Sequence, residues 1–263
     1  MSSVSADPKE VAEVIYNARR NGKPVPPVSQ SHGVTDAGIA YGIQDINTKR
    51  WQAEGRRVVG RKIGLTSKAV QAQLGVGEPD YGMLWGDLAY GDGDMVSMSK
   101  FMQPRVEAEI AFVMDKAVTS PDATLTEVIA AVGYALPSVE IVDSAIADWK
   151  ITLADTIADN ASAGGFALGT SSRKVSEVDL KLCGMLLSKN GQHVSLGVGA
   201  ACLGHPLIAT LWLARKMAEV GRPLEEGDIV LSGALGPMVP AVAGDRFSVE
   251  IQGFSPFNIE FGA

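Results

Sequence analysis

The spacing of apolar residues predicts two helices at the start of the chain. Asp7 and Pro8 are residue types that begin helices, and the apolar positions after them recur at helical spacing: Val11, Val14, Ile15 and Ala18. A second helix is predicted from Thr35 to a stop near Gly55. Residues 21–34 between the two helices contain three prolines and predict an extended linker.

After residue 56, short runs of β-type residues replace the helical pattern. Residues 57–65 are rich in β-branched side chains and predict a strand. Thr66 is then predicted to cap a short helix that carries Val70 and Leu74. Residues 77–93 are rich in Gly, Pro and Asp, and they predict a loop.

The middle of the chain predicts a strand–helix–strand unit. Residues 106–114 alternate between the two faces expected of a strand. A capping-box pattern predicts a helix over residues 124–135. Pro137 is expected to end that helix before a second strand over residues 138–142.

The last third of the chain is predicted to be mostly β. Asn190-Gly191 lies between two alternating runs and predicts a hairpin. A helix is predicted over residues 206–220, with His205 before it as a capping or packing residue, and further strands over residues 229–232 and 247–251. Helices first and mixed elements later are typical of an α+β protein with a mixed sheet.

Composition narrows the class of protein. The 263 residues are 46% hydrophobic and 20% charged, as in soluble globular proteins, and the length fits one large domain, or a small helical part (1–56) followed by a main domain (57–263). A net charge of −7 argues against a non-specific nucleic-acid binder, and the longest uncharged run contains Gly and Pro that a membrane span would not tolerate. Two cysteines do not make a disulfide framework, so a reducing, cytoplasmic location is expected.

The most informative polar residues are Glu107 and Glu109, two residues apart inside the predicted strand. They share one face of it, roughly 6.5–7 Å apart along the strand. Two like charges on a part-buried face need basic partners, a shared proton or a divalent cation. The ordinary alternative is a solvated strand face.

Glu140 adds a third carboxylate from the next predicted strand. A helix between two strands can bring them side by side, so the three carboxylates can converge. Oxygen ligands of this kind suit Mg²⁺ or Mn²⁺, whereas a chain with only three histidines is a poor candidate for a multi-histidine zinc site. The ordinary alternative for Glu140 is an ion-paired strand residue.

Other candidate residues carry weaker signals. Lys62, at the end of the first predicted strand, is a candidate for binding a carboxylate or transferring protons, with an exposed edge-strand lysine as the alternative. Asp80, Asp159 and Ser162 lie in turn-rich segments, where a capping or turn role is the alternative. The N–H groups of residues 233–237 are candidates for binding an anion.

Seven motifs together resemble the 2-keto-4-pentenoate hydratases, also called 2-hydroxypenta-2,4-dienoate hydratases, within the fumarylacetoacetate hydrolase superfamily. They run in the same order along nearly the whole chain: Gly60-Arg-Lys-Ile-Gly-Leu-Thr66, Pro79-Asp-Tyr-Gly82, Gln103-Pro-Arg-Val-Glu-Ala-Glu-Ile110, Pro137-Ser-Val-Glu140, Ala158-Asp-Asn-Ala-Ser162, Cys202-Leu-Gly-His-Pro206 and Ser232-Gly-Ala-Leu-Gly-Pro-Met238.

The resemblance implies a fold and a site. It implies an α+β protein in which a mixed β-roll catalytic domain over residues 57–263 follows the helical part. It also implies that Mg²⁺ or Mn²⁺ is held by Glu107, Glu109 and Glu140. The remaining implied site residues are Lys62 and Asp80 as proton-transfer groups and Leu65, Ser162, Leu235 and Gly236 at the substrate.

The activity implied by the resemblance is that of a hydro-lyase: addition of water to 2-hydroxypenta-2,4-dienoate to give 4-hydroxy-2-oxopentanoate in meta-cleavage degradation of aromatic compounds. The similar 4-oxalocrotonate decarboxylases make decarboxylation the main alternative, although Arg61 and the segment 234–238 resemble the hydratases more. A non-catalytic partner of a decarboxylase is a third alternative. The resemblance further implies a homo-oligomer, with pentamers as the candidate unit, and a candidate complex with a pathway decarboxylase or aldolase.

Overall fold

The computed structural model describes residues 7–68, 71–72 and 75–263. Its α-helices within these ranges are α1 (Pro8–Asn21), α2 (Val28–Ser31), α3 (Ala37–Ala53), α4 (Leu125–Ala131), α5 (Leu153–Ala158) and α6 (Pro206–Glu219). Its strands are β1 (Val58–Gly64), β2 (Asp80–Trp85), β3 (Ala89–Gly91), β4 (Met95–Ser97), β5 (Arg105–Met114), β6 (Val132–Val142), β7 (Ala163–Leu168), β8 (Gly184–Lys189), β9 (Gln192–Val198), β10 (Ile229–Ala234), β11 (Val239–Pro240), β12 (Arg246–Ile251) and β13 (Phe257–Gly262).

The strands form two mixed sheets. The larger sheet has eight strands in the order β2-β1-β10-β5-β6-β7-β3, with β11 paired to β5, and the smaller has the order β4-β13-β12-β8-β9. Most pairs are antiparallel, but β1 with β10, β3 with β7 and β4 with β13 are parallel. The expected α+β class with a mixed sheet is therefore confirmed.

The larger sheet curls, so that β2 at one end approaches β7 near the other. Asn160, just before β7, fastens the two ends together: its Nδ2 donates to Met83 O (2.9 Å), and Met83 N donates to its Oδ1 (2.7 Å). Side chains on one face of this sheet are thereby gathered into a small volume.

The N-terminal helices pack around an apolar cluster that they share with α5. Its buried members include Val11, Ile15, Ile43 and Ile157. At the start of α1, Asp7 accepts a hydrogen bond from Lys9 N (2.9 Å), which confirms the predicted helix start.

The predicted extended linker over residues 21–34 was wrong in part. The structure places α2 inside it, and Val25 pairs with Ile146 in an isolated bridge. The helix is held by Ser29, whose N and Oγ donate to the Asp155 carboxylate at 2.8 and 2.7 Å. This partner is 126 residues away, so the local sequence does not reveal it.

Two other local predictions were also wrong. The predicted loop over residues 77–93 contains β2 and β3, because the apolar run in β2 is buried along its whole length. The helix predicted to reach residue 135 ends at Ala131, and β6 runs from there through Pro137. Pro137 is tolerated because it lies at the end of the pairing with β7, whose last register pair is Ser138 with Leu168, and its carbonyl still accepts a hydrogen bond from Gly169 N (2.9 Å).

The remaining predicted elements agree with the structure. Strands β1, β5, β10 and β12 and helix α6 lie where they were expected. At the predicted hairpin Asn190 and Gly191 have φ of 52° and 79°, as a type I′ turn requires. Val70 and Leu74 of the predicted short helix lie outside the described residues. Among those described, the helices are all too short or too polar to cross a membrane.

Candidate active site

Three glutamates meet on one face of the larger sheet. Glu107 and Glu109 lie two residues apart on β5, and Glu140 on β6 is directly opposite Glu107 in the strand register. One carboxylate oxygen from each lies within 4.8 Å of the others. The structure therefore brings together the three carboxylates that the sequence pattern and the resemblance had singled out.

The cluster is held in a poorly solvated place. Glu109 and Glu140 are fully buried, and Glu107 is the most exposed of the three. An apolar cluster lies beside them on the same face of the sheet and consists of Leu84, Ala111, Leu136, Phe166 and Leu231. Carboxylates in such surroundings lose solvation that their neighbours must replace.

The pKa of all three carboxyl groups is raised. Burial raises the pKa of Glu140 to about 8, against the opposing effect of the Lys62 ammonium. Burial and then the charges of Glu140 and Glu107 hold the pKa of Glu109 well above its usual range. The pKa of Glu107 is raised chiefly by burial. Without a compensating cation, the cluster therefore resists carrying its full negative charge.

Two buried oxygens of the cluster have neither a hydrogen bond nor an ion pair among the described residues. Glu109 Oε2 accepts a hydrogen bond from Gly233 N (2.8 Å), which fixes the orientation of the carboxylate. Glu109 Oε1 and Glu140 Oε2 are buried and accept no hydrogen bond from the part of the chain that the structure describes. Buried oxygens rarely remain without a partner, so this arrangement calls for a ligand between them.

Lys62 and Asp80 complete the charged group. Lys62, on β1, is 4% exposed, and its Nζ lies 3.1 Å from Glu140 Oε1. Burial by itself lowers the pKa of Lys62, but the carboxylates of Glu140 and Asp80 outweigh that effect and raise it. Asp80 is 1% exposed, burial raises its pKa, and its Oδ1 accepts no hydrogen bond among the described residues.

Glycine at position 64 leaves space that the ends of the Lys62 and Asp80 side chains approach. Gly64 is opposite Asp80 in the register of β1 and β2. A methyl group there would overlap Asp80 Oδ1 and would lie 3.3 Å from Lys62 Nζ. A side chain at this position is therefore incompatible with the observed arrangement of the two charged groups.

Ser162 ends a strained turn that packs on the same face. Asn160, Ala161 and Ser162 have φ of 56°, 53° and 55°. Left-handed backbone costs a residue other than glycine roughly 1–2 kcal/mol, so three in succession need firm support from their surroundings. Ser162 is buried, and its Oγ lies 3.1 Å from Thr156 Oγ1.

The turn adjoins Lys62 through Gly82. Gly82 is opposite Lys62 in the strand register, so a side chain at residue 82 would point to the face that carries Lys62. That space is filled instead by the Asn160 carbonyl and, at 3.3 Å from the position of an added methyl group, by Ala161 Cβ. The turn is therefore a wall beside Lys62.

Three further predicted substrate residues lie at the ends of strands. Leu65 directly follows β1 and has a left-handed φ of 57°. Leu235 is buried and follows β10, and its N–H donates to Ala108 O (3.0 Å), between the two glutamates of β5. Gly236 comes next and packs against the backbone of Leu196.

Two N–H groups of residues 233–237, the segment predicted to bind an anion, are used inside the protein. The N–H of Gly233 donates to the Glu109 carboxylate, and the N–H of Leu235 donates to a backbone carbonyl. These donors point into the protein, because β10 lies between β1 and β5 and its end must pair with β5. The anion that this segment binds is a carboxylate of the site itself.

The ion pairs that Arg19 makes beside the site were not predicted from the sequence. Asp159 is 1% exposed and forms a two-point ion pair with Arg19 of α1, which also binds Asp143. Arg19 and Asp143 carried no signal in the sequence, because the three residues are brought together only by tertiary packing. The regular helical pattern of α1 gave no reason to separate Arg19 from its neighbours.

A curled mixed sheet with three clustered carboxylates, a buried lysine and a buried aspartate defines an α+β protein with a candidate oxygen-ligand metal centre. Residues 55–261 match the family described as Fumarylacetoacetate (FAA) hydrolase C-terminal. The chain is 50% identical over 254 residues to 2-keto-4-pentenoate hydratase 2 of Dechloromonas aromatica (strain RCB), covering 97% of each chain. It is 49% identical over 253 residues to the TodF product hydratase of Pseudomonas putida F1, covering 96% of this chain and 94% of that one.

Among solved structures, it is similar to 4-oxalocrotonate decarboxylase from Pseudomonas putida G7 complexed with magnesium and adipate. That comparison has a TM-score of 0.93 and 37% sequence identity, and it covers 97% of both chains. The chain belongs to the fumarylacetoacetate hydrolase family, in the branch of the 2-keto-4-pentenoate hydratases. The predicted family and fold are thereby confirmed, and the predicted hydratase activity is the one for which both curated relatives are named.

Proposed function

We propose that the protein is a divalent-metal-dependent hydro-lyase that adds water to 2-hydroxypenta-2,4-dienoate and releases 4-hydroxy-2-oxopentanoate, a step in meta-cleavage degradation of aromatic compounds. The observation that carries this proposal is the cluster of Glu107, Glu109 and Glu140 beside the buried Lys62 and Asp80. The cluster lies in a chain that is 50% identical to a hydratase along nearly its whole length.

The residues fit a hard divalent cation. All ligands on offer are carboxylate oxygens, which suit Mg²⁺ or Mn²⁺. The buried, unpartnered Glu109 Oε1 and Glu140 Oε2 support a cation between them, as does the elevated pKa of each carboxyl group. We assign metal binding to Glu107, Glu109 and Glu140. When bound, the cation would supply Lewis-acid polarisation of the substrate's oxo-acid head.

The reaction requires several proton transfers, and Lys62 and Asp80 are the groups placed to make them. The substrate loses its enol proton and gains a proton at C5, which leaves an α,β-unsaturated 2-oxo acid. Water oxygen then bonds to C4, and a proton is added at C3. Acid–base assistance of this kind is worth about 10²–10⁴ in rate. Lys62 Nζ holds protons beside the carboxylates, and Asp80 Oδ1 is free to accept one.

The wall beside Lys62 supports a role in holding the substrate. We assign substrate contacts to Ser162, in the strained turn, and to the strand-end residues Leu65, Leu235 and Gly236. The N–H of Leu235 donates to Ala108 O, between the two glutamates of β5, so its backbone lies beside the site, while its side chain packs in the core cluster that contains Ala108. A buried leucine and a glycine suit the short apolar tail of a dienoate better than a second charged group.

Decarboxylation of a related dicarboxylate is the second candidate, because the structure resembles a decarboxylase with a TM-score of 0.93. The sequence favours hydration, since identity is 50% to a named hydratase and 37% to that decarboxylase. Arg61 and the segment 234–238 also resemble the hydratases more than the decarboxylases. A non-catalytic structural role would not explain why a lysine and several carboxylates with unpartnered oxygens are buried together.

The test is to incubate the protein with enzymatically generated 2-hydroxypenta-2,4-dienoate, with and without Mg²⁺. Metal-dependent loss of the dienol absorbance and formation of 4-hydroxy-2-oxopentanoate are expected. Release of CO₂ from 2-oxohex-3-enedioate with no hydration would favour the decarboxylase instead. Inactivity toward both substrates with Mg²⁺ and with Mn²⁺ would contradict an enzymatic role.

Lys62→Ala tests the proposed proton-transfer pair within the same assay. We expect it to lose turnover by at least 100-fold while Mn²⁺ binding is retained. Lys150→Ala is the matched control, because that side chain is 70% exposed and its ion pair, among the described residues, is with the exposed Asp148. A turnover number for Lys62→Ala equal to that of the control would remove Lys62 from the mechanism.

We also infer a homo-oligomer in the cytoplasm. Exposed apolar side chains on the two edge strands of the smaller sheet support it: Met95 on β4 is 68% exposed and Leu196 on β9 is 70% exposed. Exposed edge strands of this kind are ready to pair with another chain. Sedimentation of the purified protein tests this, and a mass of one chain (27.6 kDa) would contradict it.

A further inference from the structure

One side chain of the N-terminal helix α1 holds both ends of the turn at residues 160–162. Arg19 binds Asp159, which directly precedes the turn, through Nε and Nη2, each at 2.8 Å. It also binds Asp143, through Nη1 to Oδ2 (2.9 Å) and Nη2 to the carbonyl oxygen (2.7 Å). The N–H of Asp143 in turn donates to the carbonyl of Ser162, the last residue of the turn, at 2.8 Å.

The two carboxylates that Arg19 binds also accept hydrogen bonds from backbone N–H groups. Asp159 Oδ2 also accepts from Ala145 N (2.7 Å), and Asp143 Oδ1 accepts from the N–H groups of Met102 (3.0 Å) and Gln103 (2.6 Å). Both carboxylates are 1% exposed. Removal of the arginine would leave two buried carboxylates without their cation, and the chain segments that carry them would have to rearrange.

The segment that this network holds is the wall beside Lys62. Its three left-handed residues do not hold that shape by local preference. The Asn160 side chain ties its start to β2, and Arg19 ties both ends to α1. The position of the Asn160 carbonyl above Gly82, opposite Lys62, therefore depends on contacts made by a helix at the other end of the chain.

We propose that Arg19 is a positioning residue for the hydration reaction: it fixes the turn at residues 160–162, and so the side of the site against which the substrate lies. The proposal rests on the proposed function, since it concerns catalysis at the same site. It makes α1 a part of the catalytic unit, although the glutamates, Lys62 and Asp80 all lie on strands of the larger sheet. Four of the five N–H donors of Arg19 are engaged by Asp143 and Asp159, and Arg19 is not a catalytic group.

The experiment compares Arg19→Met and Arg19→Lys with the neighbouring control Arg20→Met. Arg20 is 57% exposed and, among the described residues, makes a 3.4 Å contact with Glu54 and a distant contact with a tyrosine ring, so its loss should leave turnover unchanged. For each full-length protein, kcat and KM for the dienoate are measured per folded molecule, together with the dissociation constant for Mn²⁺. The folded fraction is taken from circular dichroism at the assay temperature.

We expect Arg19→Met to lower kcat/KM at least tenfold. The Mn²⁺ dissociation constant should change less than twofold, because the three glutamates lie on β5 and β6 and not in the turn that Arg19 holds. Arg19→Lys, which keeps the charge but not the two-point geometry, should lie between that variant and the wild type. A kcat/KM of folded Arg19→Met within twofold of Arg20→Met would overturn the proposal, even if stability fell. If Arg19→Met does not fold, Arg19→Lys decides: wild-type kcat/KM in that variant would overturn it.

These outcomes are separate from a failure of the proposed function. Wild-type protein that does not hydrate the dienoate would refute the hydratase assignment without any variant being made. Wild-type protein that hydrates it, with Arg19 variants that do so equally well, would refute only the positioning role.

Discussion

At the scale of single residues, the site is a cluster of groups that destabilise one another until a ligand binds. Glu109 illustrates this, because its carboxyl group is buried, faces two other carboxyl groups and has one oxygen without a partner. Residues of this kind are common in functional sites, where stability is given up for chemistry. These residues should therefore lower the free energy of unfolding without the cation and raise it when the cation is bound.

Glu109→Gln is expected to stabilise the metal-free protein while it weakens metal binding. The amide oxygen still accepts from Gly233 N–H, but the buried negative charge is gone, so the free energy of unfolding should rise by about 1–3 kcal/mol in chelated buffer. Affinity for Mn²⁺ should fall at least tenfold in the same variant. Urea unfolding and calorimetric titration measure the two effects.

The control for that pair of measurements is Glu250→Gln, since Glu250 is exposed on β12. It should change neither quantity appreciably. Two results would contradict this account. One is a lower stability of metal-free Glu109→Gln than of the metal-free wild type, and the other is an unchanged Mn²⁺ affinity.

Gly64 offers a second test at the residue scale. Gly64→Ala places a methyl group where Asp80 Oδ1 lies, and overpacking of this kind costs roughly 1–3 kcal/mol of stability. Turnover should fall at least tenfold, because the Asp80 carboxylate would be displaced from its place near Lys62. Gly42→Ala, at an exposed position in α3 with open space around it, should instead stabilise the protein by about 0.5–1 kcal/mol. Equal turnover in the two variants would contradict the proposed roles of Lys62 and Asp80.

At the scale of elements, α6 carries a pH-sensitive cap. His205 Nδ1 accepts a hydrogen bond from Leu207 N (3.1 Å), which requires the neutral ring. Burial lowers the pKa of His205, with smaller opposing and reinforcing effects from Asp179 and Lys181. The unfolded state therefore takes up the proton at a higher pH than the folded state does, and the cap is fully effective only above the unfolded pKa of about 6.5.

We expect the stability supplied by this cap to be lost as the pH falls from about 6.5 through the lower pKa of the folded state. The loss should amount to about 0.5–2 kcal/mol, the usual value of a helix cap. His205→Asn keeps a capping oxygen that does not titrate, so its stability should decline less than that of the wild type between pH 7.5 and pH 5. Urea unfolding at several pH values measures the difference, and parallel curves for the two proteins would refute the role of the ring.

The elements also show where sequence pattern is sufficient and where it is not. The alternation over residues 106–114 correctly predicted β5, and with it the shared face of Glu107 and Glu109, because strand geometry follows directly from a period of two. The segment around Asp80 looked like a loop, since Gly, Pro and Asp outnumber its apolar run. Only burial between β1 and the end of the curled sheet makes it a strand.

Pro137 was wrongly predicted to mark the end of a helix. It is a helix breaker by its chemistry, yet it lies inside β6, because the neighbouring strand β7 ends beside it. Which neighbour a strand has, and where that neighbour stops, is a property of the whole sheet. No local pattern near Pro137 contains that information.

At the scale of the whole molecule, the site is assembled from segments far apart in the chain. Lys62 reaches Glu140 across the sheet, and Arg19 reaches Asp143 and Asp159 from a helix 124 and 140 residues earlier. The sequence could indicate the glutamates and Lys62 as candidates, because they interrupt apolar strands. It could not indicate Arg19, whose partners are set only by the way α1 packs against the segment around α5.

The central claim is that turnover depends on a divalent cation held by the three glutamates, and a Mn²⁺ titration with a simultaneous assay of dienoate hydration tests it most directly. With the wild type, we expect turnover in chelated buffer to be negligible and then to rise in proportion to occupancy until one Mn²⁺ is bound per chain. Glu107→Gln should fold normally but bind Mn²⁺ weakly and remain inactive at the same concentrations. Full turnover without bound metal, or wild-type binding and activity in Glu107→Gln, would contradict the claim.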